Sequence, residues 1–249
     1  MANSVVAVYF LFLCSSRLAA YRPEPLVSDW LTLPIPETSG VVLKDLRSSA
    51  DVDRKVFELF GLTRIERALV EDLVNVTLAD FKGDESSRGR LVTRGSQVDT
   101  ASADEPVLRP YCDQLIEVIH ATFGPDKGVR ATIFQEETGE ERLPARLVAL
   151  YLNWPSDSGV TVESIGSGEL LKSLTNVAHG LLGRNGGFRY ERMARMYGWT
   201  RVDGDVVPTV WLLKPDRTSY WTRSVSLRDG DAITADFLVR QEVAPAEIE

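Results

Sequence analysis

Val52-Asp53-Arg54-Lys55-Val56-Phe57-Glu58-Leu59-Phe60-Gly61-Leu62-Thr63-Arg64-Ile65-Glu66 reads as a helix, a stop and the first turn of a second helix. Val52, Val56, Leu59 and Phe60 recur at helical spacing. Gly61 is a natural stop, because glycine enters the left-handed cap conformation without a steric penalty. Thr63-Arg64-Ile65-Glu66 has the form of a capping box. In such a box the threonine oxygen takes an orphan backbone amide, and the glutamate reaches back to the threonine amide. Ile65, Leu69, Leu73 and Val76 then form the expected buried stripe of a helix that runs to Phe81.

Towards the N-terminus, Leu33-Pro34-Ile35-Pro36 and Tyr21-Arg22-Pro23-Glu24-Pro25 are expected to be extended, since proline biases its predecessor away from helix. Val5 to Leu13 is an apolar run followed by Cys14-Ser15-Ser16-Arg17-Leu18-Ala19-Ala20. The small residues at its end resemble a signal-peptide cleavage site, but no Lys or Arg precedes the run. It is also too short to span a bilayer as a helix, and a buried strand or the start of a helix fits it equally well. The chain is therefore read as cytoplasmic and without a membrane partner, with a secreted protein-interaction module as an alternative.

Towards the C-terminus, residues 82–105 are rich in Ser, Gly, Asp, Arg and Thr and offer little that can pack, which predicts a flexible linker. The domain organisation expected is thus a helical segment at 1–81, the linker, and a second domain at 106–249. In that domain Leu115, Ile116, Ile119 and Phe123 suggest a helix ending at Gly124. Val129–Gln135, Leu147–Asn153, Val160–Ile165 and Val206–Lys214 read as strands. Glu169–Leu182 reads as a helix, and Phe188–Tyr197 as helix or strand. The fold class expected is α+β.

The passage from Asp51 to Thr63, followed by Glu66 and Leu69-Val70-Glu71, resembles a segment near the C-terminal end of bacterial adenine-specific DNA methyltransferases of the combined restriction–modification type. Tyr9 to Leu18, followed by Leu31-Thr32-Leu33-Pro34-Ile35-Pro36, is similar to the same recognition region, so the resemblance covers roughly the first third of the chain. It implies a non-catalytic DNA-recognition or accessory portion of a phage-defence system. The implied partners are double-stranded DNA and a catalytic methyltransferase subunit or domain. The cofactor of that reaction, S-adenosylmethionine, would sit in the partner and none in this chain. The family's catalytic Asn/Asp-Pro-Pro-Tyr/Phe tetrad is missing. Its nearest string, Leu152-Asn153-Trp154-Pro155, lacks the double proline and is expected to end a strand and begin a turn.

The formal charge of −8 means that net charge will not draw the molecule to nucleic acid, so a local basic surface is needed. Residues 184–228 supply one, with nine Lys/Arg against four Asp/Glu, or +5, which leaves −13 elsewhere. The cations are interleaved with aromatic residues, a mixture suited to phosphate contact and base stacking. Candidate DNA-binding residues are Arg189, Arg192, Arg195, Lys214, Arg217, Tyr220, Trp221 and Arg223; the bland alternative is a solvated charged face whose aromatics fill the core.

Ile165-Gly166-Ser167-Gly168-Glu169 is a second candidate, since a Gly-x-Gly turn between strand and helix can cradle S-adenosylmethionine. A stand-alone methyltransferase using Gly166–Gly168 is the corresponding alternative function, although a helix N-cap explains the turn without a ligand. Two cysteines and two histidines, none closely paired in sequence, do not suggest zinc. Cys112 and His120 are expected on one helix, as core and flank.

Overall fold

The computed structural model describes residues 4–15, 25–36, 46–83, 87–93, 106–136, 144–155, 157–166, 172, 194–202 and 204–241. The chain divides into two compact units, Met1–Gly89 and Arg90–Glu249. The first is helical and the second combines helices with a five-stranded sheet, so the fold class is α+β. The boundary falls inside the stretch expected to be a linker, and parts of that stretch are packed. Ser87 and Thr93 are buried, and the Leu91 carbonyl accepts the Thr218 amide at 3.0 Å within the second unit.

In the first unit the apolar run forms helix α1 (Val5–Cys14), capped by Ser4, whose hydroxyl accepts from the Ala7 amide. No helix among the described residues is long and apolar enough to cross a membrane. A short helix α2 (Val27–Leu31) precedes α3 (Ser49–Leu59) and α4 (Arg64–Asp72). The Val5 amide donates to the Asp53 carboxylate at 2.8 Å, which ties the start of α1 to α3. The stop and the cap between α3 and α4 are as the sequence predicts. Gly61 has φ +61°, a conformation that a side chain resists. Thr63 Oγ1 accepts the Glu66 amide, and the Glu66 carboxylate accepts the Thr63 amide at 2.8 Å.

The predicted stripe on α4 is corrected. Ile65 and Leu69 are 46% and 37% exposed, while Ala68 and Asp72 are buried. Val76 is buried as expected, in a π turn (Leu73–Thr77) that leads into α5 (Leu78–Phe81). The side of α4 that faces inward is chosen by the helix packed against it, α1, and not by the most apolar line along its surface. The π turn also inserts a residue and shifts the phase of the buried positions.

The second unit opens with α6 (Leu108–Phe123), whose third residue, Pro110, is tolerated because first-turn amides have no helical acceptor. Leu108, Tyr111, Cys112, Leu115, Ile116 and Ile119 form its buried face. Five strands follow: β1 (Val129–Glu136), β2 (Ala145–Leu152), β3 (Gly159–Ile165), β4 (Ala194–Val202) and β5 (Asp205–Pro215). Their order is β3-β1-β2-β5-β4; β1 and β3 are parallel and every other pair is antiparallel. Phe188–Tyr197, read as helix or strand, is strand where it is described; its earlier residues lie outside the described residues, as does the helix expected at Glu169–Leu182 apart from Lys172, which is helical.

Every residue of β2 from Arg146 to Leu152 is buried, which explains its nearly unbroken apolar run. Val148 and Leu150 join Val129, Ala131, Ile133, Val210 and Leu212 in the core shared with α6, and Leu147, Ala149 and Tyr151 belong to a second cluster with Phe134 and Val207. β2 ends at Leu152, and Asn153 takes the left-handed conformation (φ 56°), so Leu152-Asn153-Trp154-Pro155 is a strand end and turn as expected.

The last helix, α7 (Arg223–Gln241), packs against α6 and is not marked in the sequence by an apolar stripe. Its buried positions include Ser226, Asp229, Gly230 and Thr234 beside Val225 and Ile233. A face built from small and polar residues leaves little apolar periodicity to read. Gly230 is required by proximity, since a Cβ there would lie 2.6 Å from Val118 Cγ1 of α6.

Candidate nucleic-acid interface

The basic aromatic segment enters the structure on β4, continues along β5, and turns through a single 3-10 turn (Thr218–Tyr220) into α7. Of the eight candidate residues, Arg189 and Arg192 lie outside the described residues. Arg195 is half-buried on β4, opposite Leu212 of β5. Arg217 is exposed, and Tyr220 and Arg223 are half-buried on either side of the helix start.

Lys214 and Trp221 are each 1% exposed, so neither side chain is on a surface where it could meet a phosphate or a base. Both belong to an internal polar–aromatic cluster. The Lys214 ammonium is ion-paired with Asp229 of α7. It also donates to the Tyr111 hydroxyl at 3.0 Å and to the Tyr220 carbonyl at 3.2 Å. Tyr111 in turn donates to Asp229 at 2.6 Å. The ammonium lies 4.5 Å from the centroid of the Tyr111 ring and 4.9 Å from that of Trp221. Three elements, α6, β5 and α7, thus meet on one cation whose three donors are all used.

Burial drives the Lys214 pKa below the usual lysine value, while the Asp229 carboxylate pulls it back up. Burial, reinforced by the Asp229 charge, holds the Tyr111 phenol well above its ordinary range.

The turn itself is fastened on both sides. The Trp221 indole donates to the Pro215 carbonyl at 2.9 Å, and the Asp216 amide to the Pro144 carbonyl at 3.0 Å. The buried Asp216 carboxylate accepts from the Thr93 hydroxyl. The acid of this turn therefore faces inward. Arg217 faces solvent, and Arg228, in the following helix, is exposed as well. A sequence count of charges could not separate Arg217 and Arg228, which point out, from Lys214, which points in.

Cys112 and His120 lie on one helix, α6, as the sequence predicts. Cys112 is fully buried and burial pushes its thiol pKa strongly up, so it packs and does not act as a nucleophile. His120 Nε2 lies 3.1 Å from the Lys127 carbonyl and 3.0 Å from Ser158 Oγ. His120 thus joins the end of α6 to the loops that lead into β1 and β3. β3 does end beside Gly166, as the Gly-x-Gly reading requires, but Ser167 and Gly168 lie outside the described residues. No group of three or more His, Cys, Asp or Glu among the described residues is arranged to hold a metal ion.

No family model, no curated protein and no solved structure matches the chain.

Proposed function

We propose that the chain is a DNA-recognition or accessory component of a bacterial modification–restriction system, acting beside a catalytic adenine methyltransferase that holds S-adenosylmethionine. The DNA surface is the Asp216–Arg223 turn with Arg217, Tyr220 and Arg223, flanked by Arg195 on β4. The supporting observation is the division of charge at this turn: Asp216 and Asp229 are buried against Thr93 and Lys214 while Arg217 stays exposed. A net-acidic protein that binds DNA needs such a locally basic surface. The restriction–modification setting rests on the resemblance of the Asp51–Thr63 and Leu31–Pro36 passages to the methyltransferase family.

The experiment is fluorescence anisotropy of the purified chain with a labelled duplex, alone and with a catalytic subunit, across a salt series. The logarithm of the affinity is expected to fall linearly with log[salt], and Arg217→Ala to reduce the slope by about 0.9, one phosphate's share. A chain that stays unbound at about 50 mM salt in both formats overturns the proposal, because phosphate contacts are strongest at low salt.

A further inference from the structure

Lys214 has the composition of a DNA contact and the position of a core residue. We propose that it is a positioning residue: with Asp229 and Tyr111 it fixes the turn that carries Arg217 and Tyr220, and it never touches the nucleic acid. The link is the hydrogen bond from its ammonium to the Tyr220 backbone carbonyl at 3.2 Å. Tyr220 sits between Arg217, where the turn begins, and Arg223, the first residue of α7. The ammonium is held independently of the turn, because Asp229 and Tyr111 bind it from two helices and the Tyr111 ring closes over it. The Tyr220 carbonyl is thereby referenced to the sheet and to both helices at once. Such cross-element support is what holds a binding side chain to a productive geometry.

This inference deepens the DNA reading and rests on it only for the binding arm of its test. The variant that isolates the role is Tyr111→Phe combined with Lys214→Met and Asp229→Leu. It removes the donor to Tyr220 without stranding a buried charge, and replacing a buried pair with apolar side chains often preserves folding. Hydrogen exchange is measured first. Amides from Arg217 to Thr222 are expected to exchange about ten-fold faster or more, the loss of one charge-assisted hydrogen bond, while β1 and β2 keep their protection.

The binding arm is a double-mutant cycle. Arg217→Ala weakens DNA binding in the native background and is expected to cost nothing further in the triple variant, because Arg217 is no longer held in place. A direct phosphate contact by Lys214, or a general loss of stability, would leave the two effects additive. Unchanged exchange of the turn in a folded triple variant, or full additivity in the cycle, overturns the inference. If the triple variant does not fold, Lys214→Met with Asp229→Asn, in which Tyr111 keeps its acceptor, carries the same two measurements. If the native chain binds no DNA, the functional proposal fails by itself and the exchange experiment alone decides the role of Lys214.

Discussion

Lys214 of β5 and Asp229 of α7 form an ion pair inside the core, with side chains only 1% and 6% exposed. Breaking such a pair from one side strands the other charge in a medium that cannot solvate it. Asp229→Ala is expected to destabilise the second unit by about 3–5 kcal/mol, and Lys214→Met with Asp229→Leu by much less, because no orphan charge remains. Urea denaturation of both variants checks this; equal losses in the two would contradict it.

Tyr111 donates to the same carboxylate, and its phenol pKa is raised well above 10.0 by burial and then by the Asp229 charge. Above about pH 10 the unfolded chain releases this proton and the folded chain keeps it, so the fold binds more protons and stability falls as pH rises. Tyr111→Phe has no such proton. The variant is expected to be less stable than the native chain at neutral pH by about 1.5–3 kcal/mol, the value of a hydrogen bond to a charged group. The difference should narrow as pH climbs past the ordinary phenol value. A gap that stays constant through that window, in denaturation curves at successive pH values, would rule out a raised Tyr111 pKa.

Gly230 of α7 faces Val118 of α6 so closely that a Cβ would sit 2.6 Å from Val118 Cγ1. Gly230→Ala is expected to cost about 1–3 kcal/mol through overpacking, against the usual helical preference for alanine. Val118→Ala in the same chain should recover part of that loss. Thermal unfolding of the single and double variants is the measurement, and a stabilising Gly230→Ala would show that the helices are not in this contact.

Thr63 caps α4, with its hydroxyl accepting the Glu66 amide and its own amide donating to the Glu66 carboxylate. Thr63→Ala is expected to lower the stability of the first unit by about 1 kcal/mol, whereas Thr63→Ser should be nearly neutral. Denaturation followed by far-ultraviolet circular dichroism separates the two, and indistinguishable curves for alanine and serine would count against the cap.

The exposed thiol and the buried one offer a probe of the fold that needs no DNA. Cys14 is exposed at the end of α1, and Cys112 is inside the core with its pKa pushed up by burial. A disulfide-forming thiol reagent should modify Cys14 at once and reach Cys112 only on unfolding, since thiolate and access are both required. Rapid modification of Cys112 in the native chain, seen by peptide mass spectrometry, would place it at a surface.

What the sequence determined by itself is local. The stop at Gly61, the Thr63–Glu66 cap and the end of β2 at Asn153 each depend on residues within a few positions of one another. Their energetics are complete once those few side chains are specified. Ile65 and Leu69 had the right spacing for a buried stripe and still face outward, because the inward side of α4 depends on where α1 packs. Sheet order, and with it the mixed pairing of β1 and β3, is likewise a matter of distant partners. So is the fate of the cations in the basic segment. Lys214 and Arg217 are three residues apart and alike in charge, yet one is buried and the other exposed. The difference lies in Asp229, 15 positions further along, and in Tyr111, 103 positions before. Only the tertiary fold brings those two to one point, and a charge is buried only where its partners already stand.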